Sequence, residues 1–275
     1  MTAIALALGA SVLWGVGDFL GGVTSRRLAT LTVLAYSQAA GLLGILVAAV
    51  FLADDFLSFV GFGAAMLAGI GGLVGLGALY RGMAVGAIGV VAPISASAAV
   101  IPVTVGLLRG ERPSALQLLG IAVALVGVFL VSREPGQTGR LAAGVPLALL
   151  AAVGFGSYFL FIDRASSDDA LWAVVVARST SSLLAIVAAA SRRALHAPTR
   201  LLPTLVAIGL FDVGANLLLA LALNEGFVSI VSVLASLYPV ITIALAVVLL
   251  RERPNRGQAA GGAAALAGAA MISAG

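Results

Sequence analysis

The chain of 275 residues is 61% hydrophobic and 9% charged, with a net charge of +4 at pH 7 and no cysteine. A soluble domain carries about 25% charged residues, so this composition excludes a water-soluble fold and predicts an integral membrane protein. Disulfides and thiolate metal sites are excluded, and His196, the single histidine, lies in a polar loop, so neither a metal nor a cofactor is expected.

A bilayer core needs about 20 apolar residues per helix. Charges and Pro/Gly clusters cut the chain into runs of that size at 2–24, 29–53, 56–80, 84–108, 114–132, 141–162, 170–190, 201–223, 226–250 and 255–274. Lipid admits only helices or closed barrels. The runs are continuous rather than alternating, which predicts an all-α bundle of ten transmembrane helices. The first run has no basic stretch before it and reads as a span, not a cleaved signal. The longest polar connection, SREPGQTGR, gives a linker at 133–140 between a first unit, 1–132, and a second, 141–275.

The two units repeat. ERPSALQLLGIAVALVGVFLVS, from Glu111, matches ERPNRGQAAGGAAALAGAAMIS, from Glu252, at ten of 22 positions and an offset of 141. ALYRG (78–82) matches ALNEG (222–226) at an offset of 144, which predicts about three extra residues in the fourth helix of the first copy. An offset of 139 places Gly15 and Gly17 on Gly154 and Gly156, and Asp18 on Ser157. Five helices per unit is an odd number, so the second copy is predicted to cross the membrane in the opposite sense. Inverted repeats around a central cavity are a signature of secondary transporters.

Within this pattern, LLRGERP (107–113) and LLRERP (249–254), each followed by Gln and then Gly, and Trp14-Gly15 in the first helix, resemble the EamA branch of the drug/metabolite transporter superfamily. The resemblance covers nearly the whole chain. It implies a cavity lined largely by helices one, three, four, six, eight and nine, and the export or exchange of small metabolites such as amino acids across an inner membrane. It implies no catalytic site, and it leaves the Glu-Arg motifs as structural markers.

Three ionisable residues fall well inside the spans: Asp18, Arg178 and Asp212. A charge at mid-bilayer costs about 3 kcal/mol on insertion scales, so it faces a cavity or a partner. Asn216 follows Asp212 by one turn, on the same face, and Arg178 has Gln38 as its repeat counterpart. One reading gives these polar residues to a cavity that binds a substrate amine or a coupling proton, because burial disfavours the ionised form of an acid. The other makes Arg178–Asp212 a structural ion pair. Trp14, Tyr158 and Tyr238 are the aromatic candidates at cavity depth. Pro93, Pro102 and Pro239 break backbone hydrogen bonds within helices four and nine and mark kinks or hinges. Gly17/Gly21, Gly71/Gly75 and Gly257/Gly261 have the spacing of close helix packing, within a monomer or across a homodimer.

Two further readings compete. Gly15-Val16-Gly17-Asp18 spells the G-x-G-D string of intramembrane aspartyl proteases, with Asp212 as the second acid, but the order is reversed and the P-A-L tripeptide is missing. The duplicated five-helix architecture also has no use in that chemistry, and a passive channel is the other alternative. The expected partners are a small-molecule substrate, the lipid bilayer and a coupling proton. Nucleic acid is not among them, because the positive charge is arginine in loops that face anionic lipid. Eleven arginines follow odd-numbered helices and three follow even-numbered ones. The positive-inside rule puts the odd connections in the cytoplasm, whereas the resemblance implies cytoplasmic termini.

Overall fold

A computed structural model describes residues 1–52, 56–86, 88–131, 138–250 and 256–275. They contain twelve α-helices, two short 3-10 turns and no strand. The first half holds α1 (Thr2–Ser25), α2 (Thr30–Leu52), α3 (Phe59–Val85), α4 (Ile88–Ala96), α5 (Val100–Leu108) and α6 (Ala115–Val131). The second holds α7 (Thr138–Ser166), α8 (Ala170–Ser191), α9 (Leu202–Glu225), α10 (Val228–Ala235), α11 (Tyr238–Leu250) and α12 (Arg256–Ala274). Seven stretches are long and apolar enough to cross a membrane, the last of them taking in α10 and α11, and three shorter apolar stretches accompany them.

The predicted helices 84–108 and 226–250 are each broken in two. A 3-10 turn at Ser97–Ala99 separates α4 from α5, and Ser236–Leu237 separates α10 from α11. Pro102 is the third residue of α5 and Pro239 the second of α11. Both sit in the first turn of a new helix, where the missing N–H has no partner to lose. They start half-helices rather than kink whole ones. Pro93 lies inside α4. The helix predicted at 141–162 runs from Thr138 to Ser166, taking in the end of the predicted linker, whose residues up to 137 lie outside the described ones.

Polar side chains set the helix ends. The Ser58 hydroxyl accepts the Gly61 N–H at 3.0 Å and opens α3, while Asp169 accepts the Trp172 N–H at 2.7 Å and opens α8. The Ser58 hydroxyl and N–H donate to Asp168 at 2.5 and 3.0 Å, tying the start of α3 to the α7–α8 corner. Those bonds, the hydroxyl's first, hold the Asp168 carboxyl below the usual carboxylate range. The Glu111 carboxylate accepts the N–H groups of Val228 and Ser229 at 2.8 and 3.1 Å, so the corner between α5 and α6 caps the start of α10. Gly110, at φ +93°, turns the chain back to place it, a conformation that glycine adopts without steric cost.

The halves make reciprocal contacts. α1 lies along α9 as α7 lies along α3, α2 faces α8, and α6 faces α12. Small residues let the backbones meet. A Cβ on Gly209 would strike the Ser37 carbonyl, and one on Gly69 the Ala177 carbonyl. Gly21 fits against the Tyr80 ring, Gly17 against Phe211, and Gly71 and Gly75 against α7, so these two pairs serve packing inside the chain.

Reciprocity also fixes the register, and it corrects the sequence alignment. Gly15 packs on Ile241 while Gly156 packs on Ile101, which aligns α1 with α7 at an offset of 141 rather than 139. At that offset Ala7, Ala10 and Gly15 fall on Ala148, Ala151 and Gly156, all buried, and Val12 on Val153, both exposed. Gly69/Ala177 and Gly209/Ser37 align α3 with α9 at 140 rather than 144. The C-caps Gly86 and Gly226 agree, so no extra residues are needed in the fourth span. Asp18 therefore corresponds to Phe159, not Ser157.

The expected consequence of the close approach is specific. Gly209→Leu should destabilise the protein by about 1–3 kcal/mol through overpacking and lower the thermal midpoint of the detergent-solubilised protein. Gly63→Leu, where a Cβ meets nothing within 4 Å, should leave it unchanged. Equal midpoints for the two variants would contradict the α2–α9 contact.

Candidate functional site

Eight side chains nominated by the sequence, Trp14, Asp18, Gln38, Tyr158, Arg178, Asp212, Asn216 and Tyr238, all line one cavity at the centre of the bundle. Its volume is about 50 Å³, room for a few waters. α2 and α8 contribute Gln38 and Arg178, so the wall includes the second and seventh predicted helices, beyond the set the resemblance implied.

Arg178 and Asp212 form an ion pair, Nη1 to Oδ2 at 2.7 Å, with both residues buried. The same Nη1 donates to Gln38 Oε1 at 2.5 Å, which also accepts the Ser181 hydroxyl at 2.7 Å. Ser182 Oγ donates to the Gln38 carbonyl at 2.9 Å, fixing α8 to α2. Trp14 Nε1–H donates to Asp212 Oδ1 at 3.2 Å, so both carboxylate oxygens are engaged. The pair thus joins α1, α2, α8 and α9 at one point.

Asp18 is different. It is 5% exposed, yet it has no hydrogen bond or ion pair among the described residues. Its neighbour Gly17 lies against the Phe211–Asp212 turn of α9. Other polar atoms around the cavity are also unsatisfied: Arg178 Nη2, Tyr158 Oη and Ser236 Oγ, each buried without a partner. Buried polar groups are nearly always paired, so these three atoms are the cavity's spare hydrogen-bonding capacity.

The aromatic wall is compact. Trp14 meets Phe159 edge-on at 5.9 Å and Tyr158 at 6.5 Å. Tyr238 presents its ring, but its hydroxyl is engaged with Ser95 Oγ at 2.5 Å and the Ala92 carbonyl at 3.2 Å, linking the two broken spans. Both breaks reach the cavity, through Ala98 and Ser236.

Paired by the corrected register, the wall is chemically lopsided. Asp18 stands opposite Phe159, Asp212 opposite Gly72, Asn216 opposite Leu76, Tyr238 opposite Ala98 and Arg178 opposite Gln38. The positions that carry charge have counterparts that carry none. Phe155, Phe159, Ser181 and Ser236 were not singled out as site residues from sequence. Phe155 and Phe159 were legible in principle, since an offset of 141 puts them on Trp14 and Asp18.

The EamA-like transporter family model matches residues 1–133 and, separately, 142–274. This chain belongs to the EamA-like transporter family. Membership makes this EamA-like protein a multi-pass membrane transporter of small molecules. One crystal structure, described only as that of a protein, superposes with a TM-score of 0.78 at 18% identity, covering 99% of this chain and 96% of the other. At that identity the likeness is one of fold. No curated protein matches the sequence.

The ion pair of this EamA-like transporter has a measurable weight. Removing one partner of a buried pair costs about 3–5 kcal/mol, because the other charge is stranded. Arg178→Ala should therefore destabilise strongly, and Arg178→Met combined with Asp212→Leu should recover most of the loss in the same thermal assay. A double variant as unstable as the two single changes summed would show that the residues act independently.

Proposed function

We propose that this protein is a secondary transporter of the inner membrane, built as two inverted five-helix repeats and working by alternating access. The supporting observation is a central cavity that gathers Asp18, Arg178 and Asp212 and leaves one acid, Asp18, without a partner among the described residues. Helices broken at the cavity and reciprocal contacts between halves are the features such a mechanism uses.

The charge balance narrows the substrate. With Asp18, Asp212 and Arg178 ionised, the cavity carries one net negative charge. An unpaired buried carboxylate requires a cation or a proton. A small amine, or the ammonium group of an amino acid, supplies it, with Trp14 and Tyr158 offering ring faces for cation–π contact. A substrate carboxylate has Arg178 Nη2 as its donor. Asp18 then responds to protons or substrate, while Asp212, held by Arg178 and Trp14, positions the wall. Substrate and proton competing for one carboxylate would couple an outward flux to an inward proton.

The protease reading needs two carboxylates sharing a proton. Asp212 is already neutralised by a guanidinium at 2.7 Å, which leaves no such dyad. A passive channel needs a continuous water path, and a central cavity of about 50 Å³ with an unpaired acid fits a binding site better than a pore.

The test is uptake into proteoliposomes under an imposed pH gradient, screened over amino acids and organic amines. Asp18→Asn should abolish both gradient-driven uptake and substrate exchange, because substrate and proton share that carboxylate, and Asp212→Asn, which strands Arg178, should lose both as well as thermal stability. Gradient-independent flux in the wild-type protein would remove the proton from the mechanism, and wild-type coupling in Asp18→Asn would remove Asp18.

A further inference from the structure

A second, larger hollow of about 330 Å³ opens on the outer surface where the halves meet, between α2 and α3 of one and α7 and α8 of the other. Its walls are aliphatic, including Leu34, Val74, Ala78, Leu147, Leu150 and Ala185. The one charged residue in it is Arg81, which is exposed and has no hydrogen bond or ion pair among the described residues.

The groove lies toward one end of the bundle. Arg81 is near the end of α3, and Gly86 touches Gly144 at the start of α7, while the start of α3 is bound to Asp168 at the far end of α7. The end with Arg81 also holds Arg26 and Arg27, because Gly21 and Gly22 of α1 pack on Tyr80 and Met83 of α3. It holds Arg192 and Arg193 too, because Thr32 and Tyr36 bond to the carbonyls of Ala194 and Leu195 beyond α8. An aliphatic trough ending at a free guanidinium on a cationic rim has the complement of an anionic phospholipid, acyl chain inside and phosphate at Arg81.

We infer that this seam is a binding site for one anionic phospholipid, with Arg81 as its headgroup ligand. A soluble anion would not use the aliphatic walls, and a zwitterionic lipid would not use the uncompensated charge. The site bears on the cavity through one side chain. Leu73 is the only one of the described residues that lines both the groove and the central cavity. An acyl chain in the groove therefore packs on the outer side of the wall that the substrate meets from within. The inference does not depend on which substrate is carried or on proton coupling.

The experiment is native mass spectrometry of the intact protein in detergent, offered equal amounts of phosphatidylglycerol and phosphatidylcholine. One phosphatidylglycerol should be retained in preference. Arg81→Gln should lower that preference about five-fold, the factor for one basic residue at an anionic surface, about 1 kcal/mol. Arg112→Gln, near Arg109 at the opposite end, should not change it. Val74→Trp, which fills the groove from its exposed rim, should lose the retained lipid while the protein still elutes as a single species. No preference in the wild-type protein, or the same preference in Arg81→Gln, overturns the proposal, as does a retained lipid in folded Val74→Trp.

Discussion

A guanidinium in the middle of a bilayer has to be neutralised within the reach of its own side chain, and Arg178 is neutralised by Asp212 at 2.7 Å. The other contacts at the centre follow from that need. Gln38 and Ser181 take up the remaining geometry on the α2 side, and Trp14 takes the second Asp212 oxygen on the α1 side. Each isolated charge would cost about 3 kcal/mol on insertion scales, so the pair and its donors are what allow ionisable residues at this depth. The result is a fixed point shared by four helices from both halves.

Close packing is the second constraint, and glycine meets it. There is no hydrophobic force between helices in lipid, so contact depends on van der Waals fit and short approach. Gly209 over Ser37 and Gly69 over Ala177 bring α2, α3, α8 and α9 close enough for the Arg178 side chain to reach both Gln38 and Asp212. The polar centre and the small-residue contacts are therefore one arrangement. Bulk at either glycine would lengthen the distances on which the ion pair relies.

Much of the site was legible because the bilayer makes polar residues informative. An ionisable side chain inside a span must face a cavity, and Asp18, Arg178 and Asp212 do. What the sequence could not carry was relative geometry. Gly15, Gly17, Gly154 and Gly156 are spaced two apart, so the false register matches both pairs and the true one matches only Gly15 with Gly156; contact with Ile241 and Ile101 resolves it. ALYRG and ALNEG are separated from the true register by four residues, about one helical turn, which leaves the buried face unchanged. The helix breaks were hidden because Pro102 and Pro239 follow them rather than make them. The depth of Asp18 and Asp212 is readable from the sequence, but depth does not reveal that Asp212 is paired with Arg178 while Asp18 has no hydrogen bond or ion pair among the described residues.

The lopsided cavity has an energetic consequence. Two identical halves packed reciprocally would permit two conformations, related by exchanging their roles, with the same free energy. Asp18 against Phe159, Asp212 against Gly72 and Asn216 against Leu76 remove that degeneracy. Under the proposed alternating access, the empty protein then rests in one conformation more than the other, and the sign of that bias is written in side chains that line the cavity rather than in the scaffold. Exchanging Asp18 and Phe159 between the halves would tilt the balance without altering the fold's symmetry.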